Sequence, residues 1–475
     1  MSDLRQIANP TKGSFSDTAA LATLRSTLRG ELIDPTHPEY EAVRRIWNGM
    51  IDRRPAVIAR CLGPVDVRMA LAWAQEHGLP VSIRSGGHNI AGLAVQEGGL
   101  TIDCSRMRGV RVDPRLRRAH AQAGCLLSDV DRETQVHGLA AVLGFVSTTG
   151  IAGLTLGGGF GYLTRRFGWT CDTVRSMEVV TADGQIVRAS EDENSDLFWG
   201  LRGGGGNFGV VTHFEYELYP VGPQILGGAM AWRGEDAPEI LNRYRTLLAN
   251  APPEMTCVAA LRNAPPAPWI EPSAHGKPIV ALFVCHTGSF EEGEALLAPL
   301  RATGALVGNV VQRRTYLSQQ MLLDATQPHG RRYYWKSEYL PGIDVAMTQP
   351  LMEHARRVAS PHDAILLFPV GGTIGRWAED HAAVGNRDAG FVINIAAGWD
   401  EPAGDEANIA WAKAAWQELR RFSTGGTYIN FQTEDEDESR IQAAYRSNYR
   451  RLVEVKRTWD PRNVFRMNKN IPPDA

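Results

Sequence analysis

The chain has 475 residues with 50 Lys and Arg against 53 Asp and Glu, a net charge of −3. That balance excludes the broad basic surface that non-specific phosphate binding needs, so nucleic acid is not expected as a partner. Hydrophobic content of 43% and charged content of 22% describe a folded chain, long enough for two structural units and without any uncharged apolar run near the ~20 residues of a membrane span.

The opening MSDLRQIANPTKGSFSD lacks the apolar stretch of a secretory signal. Ser16 and Asp17 are placed to cap a helix carrying Leu21, Leu24 and Leu28, and Glu41 to Trp47 continues a helical pattern. From Pro55 the texture changes to a strand at residues 56–60, an Ala- and Leu-rich helix at 65–77 and a strand at 81–84, a β-α-β order. Strands follow at 100–103 and 109–112, then a helix at 127–137. Val179 to Val187 reads as a hairpin with Asp183-Gly184 in its turn. A short helix at 194–201 and a strand at 210–218 lead to Tyr219-Pro220-Val221-Gly222-Pro223, a breaker-rich stretch that predicts a domain boundary. Beyond it, strands at 227–232, 278–285, 364–370 and 391–396 alternate with helices at 235–248, 291–300, 347–359 and 405–422. That order predicts a sheet covered on one face. The chain closes with a strand at Tyr428 to Phe431, a helix at 438–456 and a tail from Asp460. The expected units are residues 1–220, 221–424 and a return segment 425–475.

Glycine makes up 48 of 475 residues, about a tenth where ~7% is usual, and the excess is clustered. The clusters are Ser85-Gly86-Gly87-His88, Gly157-Gly158-Gly159-Phe160-Gly161 and Gly203 to Gly206 with Asn207, Phe208 and Gly209. Clustered glycine marks turns with positive φ or backbone lying against something. In Arg84-Ser85-Gly86-Gly87-His88-Asn89 the imidazole projects from a turn flush enough for a flat ligand, or alternatively caps a surface loop. Thr148 to Gly161 offers amides that suit a pyrophosphate, or alternatively a glycine-rich packing surface. Gly204, Gly206 and Gly209 spell G-x-G-x-x-G, but the run follows a helix and opens a strand. A nicotinamide-binding unit needs the reverse order. No P-loop, H-E-x-x-H or G-x-S-x-G pattern occurs.

Together Arg84 to Asn89, the run Gly153-Leu154-Thr155-Leu156-Gly157-Gly158-Gly159-Phe160-Gly161-Tyr162-Leu163-Thr164-Arg165-Arg166-Phe167-Gly168 and Asp196 to Arg202 with its glycines resemble the FAD domain of the vanillyl-alcohol oxidase/p-cresol methylhydroxylase superfamily. Tyr428-Ile429-Asn430-Phe431 with Val455 to Arg466 is similar to the C-terminal element of its berberine bridge enzyme-like branch. The resemblance implies an α+β fold: a PCMH-type FAD-binding domain of two subdomains, interrupted by a substrate domain built on an antiparallel sheet covered by helices. It implies FAD held by Arg84, Ser85, Gly86, Gly87, Asn89, Thr148, Gly150, Gly153, Gly157, Gly158, Gly159, Gly161, Val210 and Asn468, with His88 joined covalently to the flavin 8α-methyl carbon. Such a bond withdraws electron density from the ring and raises its potential.

Many members of this family carry a second link from a cysteine to flavin C6. Here Val146 stands at that position, and none of the six cysteines (61, 104, 125, 171, 257, 285) lies nearby. A single link is expected, and the departure weighs against very bulky substrates. The cysteines also lack the C-x-x-C spacing of a metal site or redox pair, so a reducing cytoplasm is the expected compartment. For the base the resemblance points to Tyr428, with Asn430 two residues on. A phenol near pKa 10 needs a neighbouring cation to act near neutrality, and Lys336, on one strand face with Tyr334, is the candidate. Thr149 falls at the family's gate for O2.

The expected activity is oxidation of a small-molecule C–H bond by hydride transfer to flavin N5, with O2 reduced to H2O2. The substrate is open between a sugar, an alkaloid amine and a specialised metabolite. An FAD-dependent dehydrogenase that excludes O2, and a flavin-binding protein without catalysis, are the alternatives. Oligomeric state is not legible.

Overall fold

The computed structural model describes residues 17–474; Ser16 lies outside them. Asp17 is the N-cap, its carboxylate accepting the Ala20 amide, of helix α1 (Thr18–Thr27), which buries Leu21 and Leu24. The chain then forms strand β1 (Glu31–Ile33), which the sequence pattern did not reveal, and a single turn α2 (Tyr40–Val43) in place of the longer helix expected to Trp47. β2 (Val57–Arg60), α3 (Pro64–Glu76), β3 (Val81–Arg84) and β4 (Leu100–Asp103) follow the predicted β-α-β order. The sheet order is β1-β2-β4-β3, with β2 and β3 both parallel to β4. Pro64 opens α3, a position where its missing N–H costs nothing. The Asp66 carboxylate in its first turn accepts the amides of Arg29, Gly30 and Leu62, which fixes α1 and β1 against α3.

The second sheet is antiparallel. It joins β5 (Val110–Asp113) and β6 (Arg118–Gln122) to β8 (Val174–Val180), β9 (Ile186–Ser190) and β10 (Val210–Glu217), in the order β5-β6-β10-β8-β9; a short β7 (Leu139–Ala140) lies between them in sequence. The β8–β9 hairpin closes through Asp183-Gly184 as the sequence indicates, Val180 facing Ile186. Helices α4 (Leu127–Gln135), α5 (Ile151–Leu156), α6 (Thr164–Phe167) and α7 (Ser195–Leu201) belong to this half. Its core gathers Leu127, Ile151, Phe198, Phe208 and Phe214.

After β11 (Tyr219–Pro220), which pairs with β7, the chain enters a separate eight-stranded antiparallel sheet. Its strands are β12 (Gln224–Arg233), β13 (Met255–Asn263), β14 (Pro278–His286), β15 (Leu306–Asn309), β16 (Gln312–Thr315), β17 (Arg332–Leu340), β18 (Ala364–Pro369) and β19 (Phe391–Trp399). The path is β15-β12-β14-β13-β18-β19-β17, and β16 pairs with β12. Side chains alternate across it. On β13, Cys257, Ala259 and Leu261 join a core with helices α8 (Ala237–Asn250), α9 (Phe290–Arg301), α11 (Thr348–Arg356) and α12 (Asp405–Leu419), while a short α10 (Tyr316–Gln320) lies beside α4. Val258 and Ala260 point the other way, into a core shared with Phe160, Trp169 and Tyr428. One face is thus helix-covered and the other meets the glycine-rich part of the chain.

The C-terminal segment differs from expectation twice. Tyr428 to Phe431 is a tight 3₁₀ turn at Ile429–Phe431 and not a strand. The helix expected over 438–456 is broken into α13 (Glu438–Tyr445) and α14 (Asn448–Trp459) at Arg446, whose φ is 49°. α14 packs beside α7, and Trp459 Nε1 donates to Asp196. The buried Lys456 ammonium bonds the Asp460 carboxylate and the carbonyls of Asn207 and Phe465, which fixes the tail against the third glycine cluster. Among the described residues no helix is long and apolar enough to cross a membrane.

Candidate active site

A cavity runs between the inward face of the eight-stranded sheet and segments packed over it, among them the turn after β3, residues 144–154, residues 205–211, the turn at 428–431 and the tail at Met467 to Lys469. The turn after β3 is built by contact of backbone on backbone. A Cβ on Gly86 would sit 2.5 Å from the Gly150 nitrogen, so only glycine lets the two loops meet, and Gly87 takes φ 67°. Among the described residues the amides of Gly86, Gly87, His88 and Asn89 donate to no protein acceptor. Successive free amides around a positive-φ residue form an anion-binding concavity.

His88 ends this turn. Its ring stacks on Trp47 with centroids 4.1 Å apart and planes at 16°, and the other face of Trp47 stacks on Tyr333 at 3.9 Å. Burial, with His329 adding repulsion, pushes the imidazole down to about 4, so it is neutral at physiological pH. Its Nε2 is buried and has no hydrogen-bond partner. A neutral, fixed imidazole with an unsatisfied nitrogen facing a cavity fits a covalent attachment point, since an unpaired buried polar atom is otherwise costly. A Cβ on Gly153 or Gly206, both lining the cavity, would meet nothing within 4 Å; the space in front of these backbones is open to a flat group. The residues present therefore fit FAD.

Of the residues singled out from sequence, Ser85, Gly86, Gly87, His88, Asn89, Thr149, Gly150, Gly153, Val210, Tyr428, Asn430 and Asn468 all line this one cavity. Others do not. The Arg84 guanidinium turns beneath the loop to the Asp103 carboxylate and the Val43 carbonyl, a buried pair that holds the turn. Thr148 is exposed. Gly157, Gly158, Gly159 and Gly161 lie behind the wall. A Cβ on Gly157 would fall 2.3 Å from the Asn430 amide oxygen, Gly158 packs against Val384, and Gly161 abuts the Leu143 carbonyl. This run is the packing surface of the two readings: small residues let the 428–431 turn come close.

Lys336 is also displaced. Alternation along β17 sends Tyr333 and Trp335 to the cavity and Tyr334 and Lys336 to the helical side. There the ammonium bonds Asp435 at 3.1 Å and Glu436 at 2.7 Å, over the rings of Tyr334 and Trp416. It cannot assist Tyr428. Instead the Tyr428 hydroxyl accepts the Gly159 amide at 3.2 Å and Asn430 Nδ2 at 2.9 Å. Asn430 Nδ2 also lies 3.2 Å from the carbonyls of Gly153 and Leu154, tying the turn to α5. Burial raises the Tyr428 phenol above its usual range, and the two donated hydrogen bonds offset that only in part. Tyr428 is therefore a protonated phenol whose lone pairs are engaged by the protein, so its O–H is available to donate.

Several lining residues escaped the sequence reading. Gly205, Gly206 and Asn207 line the cavity although their G-x-G-x-x-G spacing was set aside; the clustering of glycine was the usable signal, not the spacing. Trp335, Arg262, His362 and Asn394 on or beside the sheet face carry no motif at all. Val146 lines the cavity, as does Cys104, whose thiol burial pushes up to about 12; it stays protonated and is no nucleophile at neutral pH.

Comparison with known proteins agrees with this architecture. Residues 55–190 match the family model of an FAD binding domain, and residues 427–472 match the one described as berberine and berberine like. The chain is 32% identical over 474 residues to (R)-6-hydroxynicotine oxidase of Paenarthrobacter nicotinovorans, covering 96% of this chain and 100% of that one. It is 28% identical over 459 residues to an FAD-linked oxidoreductase of Bacillus subtilis, covering 94% and 98%. The crystal structure of 6-hydroxy-D-nicotine oxidase from Arthrobacter nicotinovorans superposes with a TM-score of 0.84 at 28% identity, over 94% of this chain and 98% of that one. The chain belongs to the berberine bridge enzyme-like FAD-linked oxidoreductases. It is an FAD-dependent oxidoreductase with the α+β fold of that family.

Proposed function

We propose that the protein is an oxidase that removes two electrons and two protons from a small amine or alcohol, passes them to O2, and holds its FAD through a single covalent bond to His88. The observation that carries this reading is the continuity of one cavity. It runs from the neutral, unsatisfied His88 and the free amides of its turn to the Tyr428–Asn430 pair and the aromatic sheet face. The amides of Gly86, Gly87, His88 and Asn89 are suited to the cofactor diphosphate, and the open backbones of Gly153 and Gly206 to its flat parts. FAD, held there, would supply the two-electron acceptor for the substrate hydride and the donor of those electrons to O2.

The chain's own residues do the rest. Tyr428, fixed by the Gly159 amide and by Asn430, presents its O–H to the substrate heteroatom and orients it. The substrate N–H or O–H proton leaves as the carbon loses hydride, giving an imine or carbonyl, and O2 takes up two electrons and two protons as H2O2. The sheet face excludes water through Tyr333, Trp335 and Phe368. The similarity to (R)-6-hydroxynicotine oxidase favours an amine over a sugar. A threonine at position 149, small and lining the cavity, favours O2 as acceptor. Six buried cysteines without a disulfide support a reducing compartment such as the cytoplasm.

The test is a panel of aromatic amines, alcohols and oligosaccharides offered to the purified flavoprotein, with oxygen uptake and peroxide release followed together. The expected result is one H2O2 per substrate oxidised with a member of the amine or alcohol set. Oxidation that proceeds only with an artificial dye, without peroxide, would identify a dehydrogenase in its place.

A further inference from the structure

The wall of the cavity opposite the glycine-rich segments has a composition that bears on the substrate. Ala364, Ala396 and Gly398 leave a slot on the sheet face, and Tyr333 and Trp335 stand beside it on β17. Phe368 closes the end near Tyr428, packing edge-on to Phe160 and tilted to Phe431. Aromatic walls over a floor of small residues suit a planar ring, held by offset or edge contacts.

Within this wall two polar groups are unsatisfied. The Trp335 indole N–H and Asn394 Oδ1 belong to residues 8% and 1% exposed, line the cavity, and have no hydrogen-bond partner. A bound molecule is their natural partner, because buried polar groups are almost always paired.

Arg262 stands at the other end of the same wall. Alternation along β13 puts it on the cavity face with Val258 and Ala260, opposite Ala364 of β18. Phe368 lies four residues further along β18, about 13 Å at the rise of a strand. Arg262 Nε donates to the Asn263 carbonyl at 3.1 Å and Nη2 to the Pro361 carbonyl at 3.2 Å. Among the described residues Nη1 has no acceptor, and no carboxylate forms an ion pair with this guanidinium. Asp363, the acid whose field reaches it, is occupied by the amides of Ala359, Ser360 and Gly398. Asp400 is taken by Arg331 and His362. A half-buried guanidinium stays charged and, with donors left over, is the group that recognises planar oxyanions.

We propose that Arg262 is the specificity determinant of this enzyme. The substrate is an aromatic molecule whose oxidisable carbon lies at Tyr428 and whose far end is a carboxylate, or an equivalent planar oxyanion, bound by Arg262. The proposal rests on the oxidase reading above for what happens at Tyr428, but the recognition itself needs no turnover. A neutral oligosaccharide would leave the guanidinium without its counter-charge and is disfavoured.

The test is calorimetric titration of the purified flavoprotein with 5-phenylpentanoate and with its primary amide as probes. The acid is expected to bind at least tenfold more tightly than the amide. Arg262→Gln is expected to abolish that preference while leaving the amide's affinity unchanged, and Arg262→Lys to retain part of it. Equal affinities for acid and amide in the wild type, binding of neither, or an undiminished preference in Arg262→Gln would overturn the proposal. The wild-type comparison needs no variant, so a poorly folded Arg262→Gln leaves it decisive. Loss of the oxidase reading shows separately, as protein without flavin or as substrate turnover without peroxide.

Discussion

Tyr428→Phe should slow reduction of the enzyme by substrate by roughly 10²-fold, the lower end of what a positioned proton donor or acceptor contributes, with flavin content and melting temperature unchanged. The expectation follows from what surrounds the hydroxyl. Its lone pairs accept the Gly159 amide and Asn430 Nδ2, and among the described residues no ammonium or guanidinium hydrogen-bonds to it. Burial holds the phenol above its ordinary range, so it is protonated from pH 6 to 9 and acts by hydrogen bonding, not as a phenolate. The pH profile of reduction in anaerobic stopped flow should therefore show no ionisation belonging to Tyr428 in that window. Asn430→Ala should give the same slowing, because the amide fixes both the hydroxyl and the turn to α5. A Tyr428→Phe enzyme reduced as fast as wild type would move the role to another residue.

Thr149→Leu should leave reduction by substrate intact and slow reoxidation in air by roughly 10²-fold, equivalent to about 2.7 kcal/mol of barrier. The main chain of Thr149 is fixed on both sides: its amide donates to the Val146 carbonyl and its carbonyl accepts the Leu127 amide. Its side chain faces the cavity, and among the described residues the hydroxyl has no hydrogen-bond partner. A leucine adds bulk to the cavity and removes the polar group without disturbing those backbone bonds. Reoxidation at the wild-type rate would place the control of oxygen elsewhere. A wild-type enzyme that stays reduced for minutes in aerated buffer, yet is drained by a dye, would make the protein a dehydrogenase.

The parts of the fold legible in the sequence were those governed by local chemistry. Asp183-Gly184 marked its hairpin, and the breaker run at 219–223 marked where one sheet ends and the next begins. β1 escaped because three residues give no periodicity, and β13 because Met255 to Asn263 is buried along most of its length and shows no alternation of polarity. Tyr428 and Asn430 do meet at the cavity, but not for the reason the pattern offered. They share a tight turn, and it is this turn, not strand alternation, that puts the amide on the hydroxyl. Lys336 failed because alternation says which residues share a face but not which face is which; Asp435 and Glu436, a hundred residues on, decide that. The glycine run at 157–161 shows that one composition serves either ligand approach or close packing, and only its neighbours Asn430, Val384 and Leu143 distinguish the two. Arg262 and Asn394 were invisible because their significance lies in partners they lack, a property of the folded state alone.

The central claim is that one neutral histidine, held between Trp47 and the cavity, carries the cofactor. Mass analysis of tryptic peptides from acid-denatured protein tests it most directly. The account predicts that the pellet stays yellow, that the peptide containing His88 is heavier by one FAD, and that no cysteine peptide carries flavin. His88→Ala should release its flavin on denaturation. A colourless pellet with free FAD in the supernatant, or flavin attached at any cysteine, would contradict it.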